Sequence, residues 1–177
     1  MSYLSAILVR KIVLWLLILM CVIGFYSATL YRTNRLWREA AELSHSIKDD
    51  LVNSLSRGRL LILNAPDNLR GVPVYRNGLP DAVQYFQNQK HVEQIQVASF
   101  HSLQSPTDEV GLVRSADSLK LELVNKDDGF IEFRDADCLE ILAHTNNALD
   151  LRRSNCSSNT DLFYFTKGRM IKISDTP

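Results

Sequence analysis

Ile12–Tyr31 reads IVLWLLILMCVIGFYSATLY, 20 consecutive residues without a charge. A helix rises about 1.5 Å per residue, so this stretch matches a hydrocarbon core about 30 Å thick. It predicts a transmembrane helix and makes the lipid bilayer the first expected partner. Trp15 lies near one end and Tyr26, Tyr31 and Trp37 near the other, as in an interfacial aromatic belt. A cleaved signal peptide is the competing reading, because Arg10 and Lys11 form a basic flank and Ser27-Ala28 offers small residues. Cleavage after Ala28 would put bulky Tyr26 where a small residue is needed, and the apolar run exceeds the usual signal-peptide core of about 7–15 residues. The expectation is a retained anchor, with residues 1–11 as flank, 12–31 as membrane span and 32–177 as one soluble domain.

Charges on the two sides leave the orientation open: Arg10 and Lys11 precede the span, and Arg32, Arg35 and Arg38 follow it. Arg10 and Lys11 are the only charged residues before Arg32, so residues 32–177 hold 18 basic and 20 acidic groups, a net of −2. That balance offers no basic surplus for nucleic acid. A length of 177 residues allows one domain of ordinary size and excludes a large multidomain enzyme.

Beyond the span, Leu36, Ala40, Leu43, Ile47, Leu51 and Leu55 recur at steps of four and three, the period of one helix face. Arg38, Glu39, Glu42, Lys48 and Asp49 occupy the other face. The pattern predicts an amphipathic helix to about Ser56, stopped at Arg57-Gly58, with its stripe on the domain's own sheet. Arg59–Asn64 (RLLILN) is a short apolar run of the buried-strand kind, followed by a loop over 65–78. Leu79–Gln89 reads as a helix, with Pro80 in its first turn and Ala82, Val83, Tyr85 and Phe86 as apolar contacts. A second strand over Val92–Phe100 completes a strand–helix–strand unit, right-handed if its strands are parallel. Leu119, Leu121 and Leu123 alternate with Lys120 and Glu122, and Asp128-Gly129 turns that strand into Phe130–Phe133 as a hairpin. Lys167-Gly168 signals a second hairpin, between Asp161–Thr166 and Arg169–Ser174, while Asp137–Leu151 fits neither helix nor strand period cleanly. Together these elements predict an α+β domain, a mostly antiparallel sheet with helices packed on one face.

Signals for chemistry are sparse. No Gly-Xaa-Ser-Xaa-Gly elbow and no phosphate-cradling glycine loop occur, and His45, His91, His101 and His144 lack metal-ligand spacing. No catalytic residue, metal or cofactor is assigned. Asp49-Asp50 and Asp127-Asp128 are paired acids, but the first falls on a helix's polar face and the second in a turn. Cys138 and Cys156 are a candidate disulfide, closing a loop for which such a bond is worth about 3 kcal/mol. Asn155-Cys156-Ser157 matches a glycosylation sequon, a pattern common by chance. One segment stands out, the strand and loop over 61–79. It gathers Asp67, Asn68, Arg70, Arg76 and Asn77 between a strand end and a helix start, with Gly71 and Gly78 permitting tight backbone paths. Arginine forks there could grip phosphate or carboxylate. Alternatively, the amides and the acid satisfy their own backbone in turns while the arginines pair with local acids.

The apolar helix, then Tyr31, Asn34, Trp37 and Ala40-Ala41, then LNAPDNLRGVPVYRNGL at 63–79, resemble the C-terminal end of bacterial multispanning membrane glycosyltransferases that use polyprenyl-phosphate-linked sugars. The likeness covers roughly residues 12–90 and is most specific in the loop. It departs from the family-like pattern at Ala65, where a leucine is typical, and at Val72-Pro73 and Tyr75. It implies an extracytoplasmic domain and a place in cell-envelope glycan transfer, with a glycan or lipid-linked sugar within reach. The many-helix body that carries such enzymes' catalytic acid has no counterpart in this chain. The expected function is therefore a non-catalytic accessory module beside a polytopic membrane partner, or a piece of a longer protein. Asp67, Asn68, Arg70, Arg76 and Asn77 carry over by motif as candidate binding residues, without a catalytic role. The alternative is a free-standing anchored binding domain or structural subunit of a membrane complex. A pilin-like subunit fits less well, because Gly24-Phe25 lies inside the apolar run and no Glu precedes Glu39.

Overall fold

The computed structural model describes residues 3–54, 58–75, 78–86, 92–115, 117–134, 136–154, 156 and 159–173, with side chains from residue 10 onward. The chain divides into two compact units, Met1–Arg38 and Glu39–Pro177. A single helix, α1 (Tyr3–Ser54), begins in the first and ends in the second. No proline interrupts its 52 residues, so every interior N–H can donate along the helix.

In the first unit this helix is long and apolar enough to cross a membrane, with Trp15, Leu16, Leu19, Phe25 and Leu30 all exposed. Its few hydroxyls are satisfied locally: Thr29 Oγ1 donates to Phe25 O at 3.0 Å and Thr33 Oγ1 to Thr29 O at 3.0 Å. That suits a segment whose surroundings offer no water.

In the second unit Ala40, Leu43, Ile47 and Leu51 are buried, as their spacing requires. The unit is α+β, and its described residues form twelve strands in three four-stranded sheets rather than a single sheet. Sheet A has the order β12 (Arg169–Ile173), β11 (Thr160–Thr166), β1 (Gly58–Ile62) and β4 (Val92–Val97). Sheet B runs β3 (Val72–Pro73), β2 (Ala65–Leu69), β5 (Ser99–Leu103) and β8 (Gly129–Phe133). Sheet C runs β6 (Val110–Arg114), β7 (Ser118–Leu123), β10 (Ala148–Arg153) and β9 (Leu139–His144). Sheet C is wholly antiparallel, whereas β1 lies parallel to both β11 and β4, and β2 parallel to β5.

Two of these three parallel pairs, β1 with β4 and β2 with β5, are built from consecutive stretches of the chain, β1 running into β2 and β4 into β5. The chain leaves sheet A at Leu63-Asn64 in the first and at Ala98 in the second. Ala98 N–H still bonds Ile62 O at 2.8 Å, and the Ser99 hydroxyl donates to Leu63 O at 2.6 Å. Asn64 is fully buried, and its amide replaces the lost strand pairing. It donates to Phe165 O at 3.1 Å and accepts from Phe165 N–H at 3.0 Å. The predicted single strand over 92–100 is thus two strands bent at Ala98, because each half pairs in a different sheet.

Other expectations meet the structure unevenly. Lys167-Gly168 does close the β11–β12 hairpin, both residues having positive φ, 50° and 75°. The ambiguous 137–151 stretch is the β9–β10 hairpin. Asp128-Gly129, however, joins no hairpin: β7 pairs with β6 and β10, while β8 pairs with β5 in sheet B. The loop over 65–78 contains β2 and β3. Gly58 opens β1, with φ 120° and no room for a Cβ beside Asn159, while residues 55–57, where α1 was expected to end, lie outside the described residues. In α2 (Leu79–Phe86) only Leu79 and Val83 are buried, and Tyr85 is 81% exposed, so the expected aromatic contacts are not core. Phe86 instead lies under Lys48 Nζ, 4.7 Å from its ring centre. Where α2 was expected to continue, residues 87–91 lie outside the described residues.

The core is built from alternating positions. Leu119, Leu121 and Leu123 of β7 with Leu149 and Leu151 of β10 pack with Leu61, Leu63, Phe130 and Leu162. Each such leucine contributes about 1.5–3 kcal/mol by leaving water.

Candidate functional site

The motif segment folds as the β2–β3 hairpin. Leu69 pairs with Val72, so Arg70 and Gly71 form a two-residue turn, and both have positive φ, 49° and 81°. Such a turn matches the strands' own twist. Glycine takes this conformation freely, but an arginine pays about 1–2 kcal/mol for it. Contacts hold Arg70 there: its N–H donates to Leu103 O at 2.8 Å, its Nε to Gln104 O at 2.6 Å, and Nη2 lies 3.3 Å from Glu39 Oε2.

Asn68 serves the same turn. Its Oδ1 accepts from Gly71 N–H at 3.0 Å and its Nδ2 donates to Asp67 Oδ2 at 2.9 Å, in an Asx-type arrangement. Asp67 is buried, at 4% exposure, and its carbonyl accepts from Val74 N–H at 2.9 Å. Next along the chain, the Tyr75 hydroxyl donates to Ser44 O on α1 at 3.0 Å. Burial, then the negative charge of Asp49, holds the Tyr75 phenol above its ordinary pKa. Asp67, Asn68 and Arg70 therefore do come together, around one turn braced on the second-unit end of α1. Arg76 and Asn77 lie outside the described residues.

Asp50 departs from expectation. Instead of a solvated position it receives Arg169 Nε and Nη2 on both oxygens, at 2.6–3.0 Å, and the Met170 N–H at 3.0 Å. Asp49 does face solvent, beside Lys48 at 2.9 Å. With Ser46 Oγ donating to Gly168 O at 3.2 Å, the α1 tail is fastened to two hairpins, β2–β3 and β11–β12.

Cys138 and Cys156 form a disulfide, their Cα atoms 4.9 Å apart, while Cys21 is free. Asn155 and Ser157, the rest of the sequon, lie outside the described residues. Beside the disulfide a cleft of about 170 Å³ is lined by Arg59, Gln94, Gln96, Asp137, Cys138 and Thr160. Its polar groups engage one another: Arg59 Nη1 lies 3.4 Å from Asp137 Oδ2, and Asp137 N–H donates to Gln96 Oε1 at 3.1 Å.

Among the histidines, His101 is fully buried, between Phe130 and Phe165 at 6.0 and 5.6 Å. Burial pushes its pKa down to about 4, against the opposing pull of the Ala65 backbone and Asp108, so it is neutral at pH 7. His91 lies outside the described residues. Among the described residues no group of three His, Cys, Asp or Glu side chains could hold a metal ion. Sequence reasoning had no means to find the polar groups in the interior, Asn64, His101 and Asp128. Each is a common turn or surface residue whose burial depends on which strands meet around it.

No protein-family model, curated protein or solved structure matches the chain. The class is set by architecture: an α+β domain of three small sheets, joined to a helix long and apolar enough to cross a membrane. The glycosyltransferase resemblance rests on the motif residues alone.

Proposed function

We propose that this protein is a membrane-anchored, extracytoplasmic, non-catalytic module that accompanies a polytopic glycosyltransferase-like partner in cell-envelope glycan transfer. The observation that carries the reading is the use made of the motif residues. Asp67, Asn68 and Arg70 direct polar atoms to their own turn and, through Arg70, to Glu39 on the helix that follows the apolar run. Residues used this way set the hairpin's position on the anchor helix, which is a positioning role. The Cys138–Cys156 disulfide supports the extracytoplasmic side, since such bonds persist in oxidising compartments. The bare surface of residues 12–31 supports lipid or membrane-protein contact.

The test is a gentle-detergent pull-down of the full chain from its native membranes, followed by mass spectrometry. A multispanning glycosyltransferase-like protein at near-stoichiometric yield is expected, and Arg70→Ala should lower that yield while the domain still unfolds cooperatively. Recovery of the chain alone would sink the accessory reading. It would leave a free-standing anchored binding domain, for which the cleft beside Arg59 is the favouring feature.

A further inference from the structure

One backbone N–H, that of Gln104, is shared by two carboxylates. It lies 3.0 Å from Asp108 Oδ2 and 2.9 Å from Asp128 Oδ1. Asp108 belongs to the turn between β5 and β6, and Asp128 to the turn that carries the chain from sheet C into sheet B. Two anions drawn to one donor repel unless something lies between them. Their hydrogen bonding is unequal. Asp108 also accepts from the Ser105 N–H on Oδ2 and from Asn125 Nδ2 on Oδ1, so its charge is well compensated. Asp128 is 4% exposed, and among the described residues its Oδ2 has no hydrogen-bond partner. An empty, buried carboxylate oxygen is unfavourable, whereas the same oxygen carrying a proton becomes a donor.

We propose that Asp128 and Asp108 share one proton, carried by Asp128, and that this bond is a pH-sensitive latch between the two turns. It is closed in acid and released as the medium approaches neutrality. The charged surroundings favour the proton. Asp127 adds negative charge from the Asp128 turn, while Lys126 on that turn is exposed. Glu109, beyond Asp108, is paired with Lys167 of the β11–β12 turn at 3.0 Å, and Arg70 reaches the site through Gln104 O. His101 faces Asp108 from the core as a neutral ring. Burial raises the Asp128 carboxyl to about 6; the Gln104 N–H opposes that rise, and Asp108 and then Asp127 reinforce it.

The sign is opposite to that of a salt-bridged acid. Native protein keeps a proton that the unfolded chain releases near pH 4, so the stabilisation is full in acid and fades as pH rises through about 6. The test compares thermal unfolding of the full chain in detergent, wild type against Asp128→Asn, from about pH 5 to about pH 8. Asparagine keeps the neutral shape, and His101 is present in both proteins. The wild-type Tm should fall relative to the variant's as pH rises, and a pH-independent difference would overturn the latch. Restoration of the wild-type Tm at high pH by millimolar Ca²⁺, with no effect on Asp128→Asn, would also overturn it, in favour of a cation between the carboxylates. Should Asp128→Asn not fold, infrared difference spectra of wild type over the same range must show a buried protonated carboxyl band that disappears at high pH. Its absence would overturn the proposal.

Discussion

His101 shows how one enclosed side chain can govern behaviour in acid. Its folded pKa of about 4 lies below its ordinary 6.5, so its stabilising contribution is complete above about pH 6.5 and is lost as pH falls toward 4. Each pH unit in that window removes up to about 1.4 kcal/mol. His101→Met, of similar volume and unable to titrate, should flatten the acid side of the stability profile, read by denaturant unfolding at several pH values. Asp128 acts in the opposite direction over part of the same range, so wild type alone will show a shallower slope than either group would produce. The difference between wild type and variant isolates the histidine. At Asn64 the chemistry is different: both halves of its amide replace strand pairing with Phe165. Asn64→Ala would leave a buried N–H and a buried carbonyl unpaired, and should cost about 2–4 kcal/mol, measured by urea unfolding. Neither role could be read locally, since a lone His between Phe100 and Ser102, or an Asn after a strand, has many ordinary explanations.

At the scale of elements, the α1 tail illustrates what periodicity does and does not reveal. The buried stripe of Ala40, Leu43, Ile47 and Leu51 was legible, because 3.6-residue spacing requires it. The bond from Asp50 to the β11–β12 hairpin was not, since its partners lie about 120 residues away in sequence. Asp50→Ala would strip the Met170 N–H and the Arg169 fork together, and should destabilise the domain by about 1–3 kcal/mol in chemical unfolding. Arg169→Ala removes only an exposed guanidinium and should be clearly milder. The failed Asp128-Gly129 hairpin makes the same point. The dipeptide marked a turn correctly, but Asp128 is held by Gln104, the residue that follows β5, and the chain changes sheets rather than folding back on β7.

For the whole molecule, the disulfide closes a covalent loop around the β9–β10 hairpin. Cys138→Ser with Cys156→Ser should lower stability by about 3 kcal/mol, and reductant should destabilise wild type by a similar amount while leaving the double variant unchanged. The same measurement made on protein from native membranes, with and without prior thiol alkylation, would show whether the bond exists there.

The amino-acid sequence by itself determined the apolar helix, its amphipathic continuation, the α+β class and the positions of β1, β7, β8, β11 and β12. Those features depend on interactions between residues close along the chain, through helical or alternating spacing and turn chemistry. Tertiary structure alone decided that three sheets form rather than one, and that the motif loop is a hairpin braced on α1. It also decided that Asn64, His101 and Asp128 are enclosed. Burial of a polar group is set by which distant strands surround it, and pairing partners 30 to 120 residues apart leave no local pattern in the sequence.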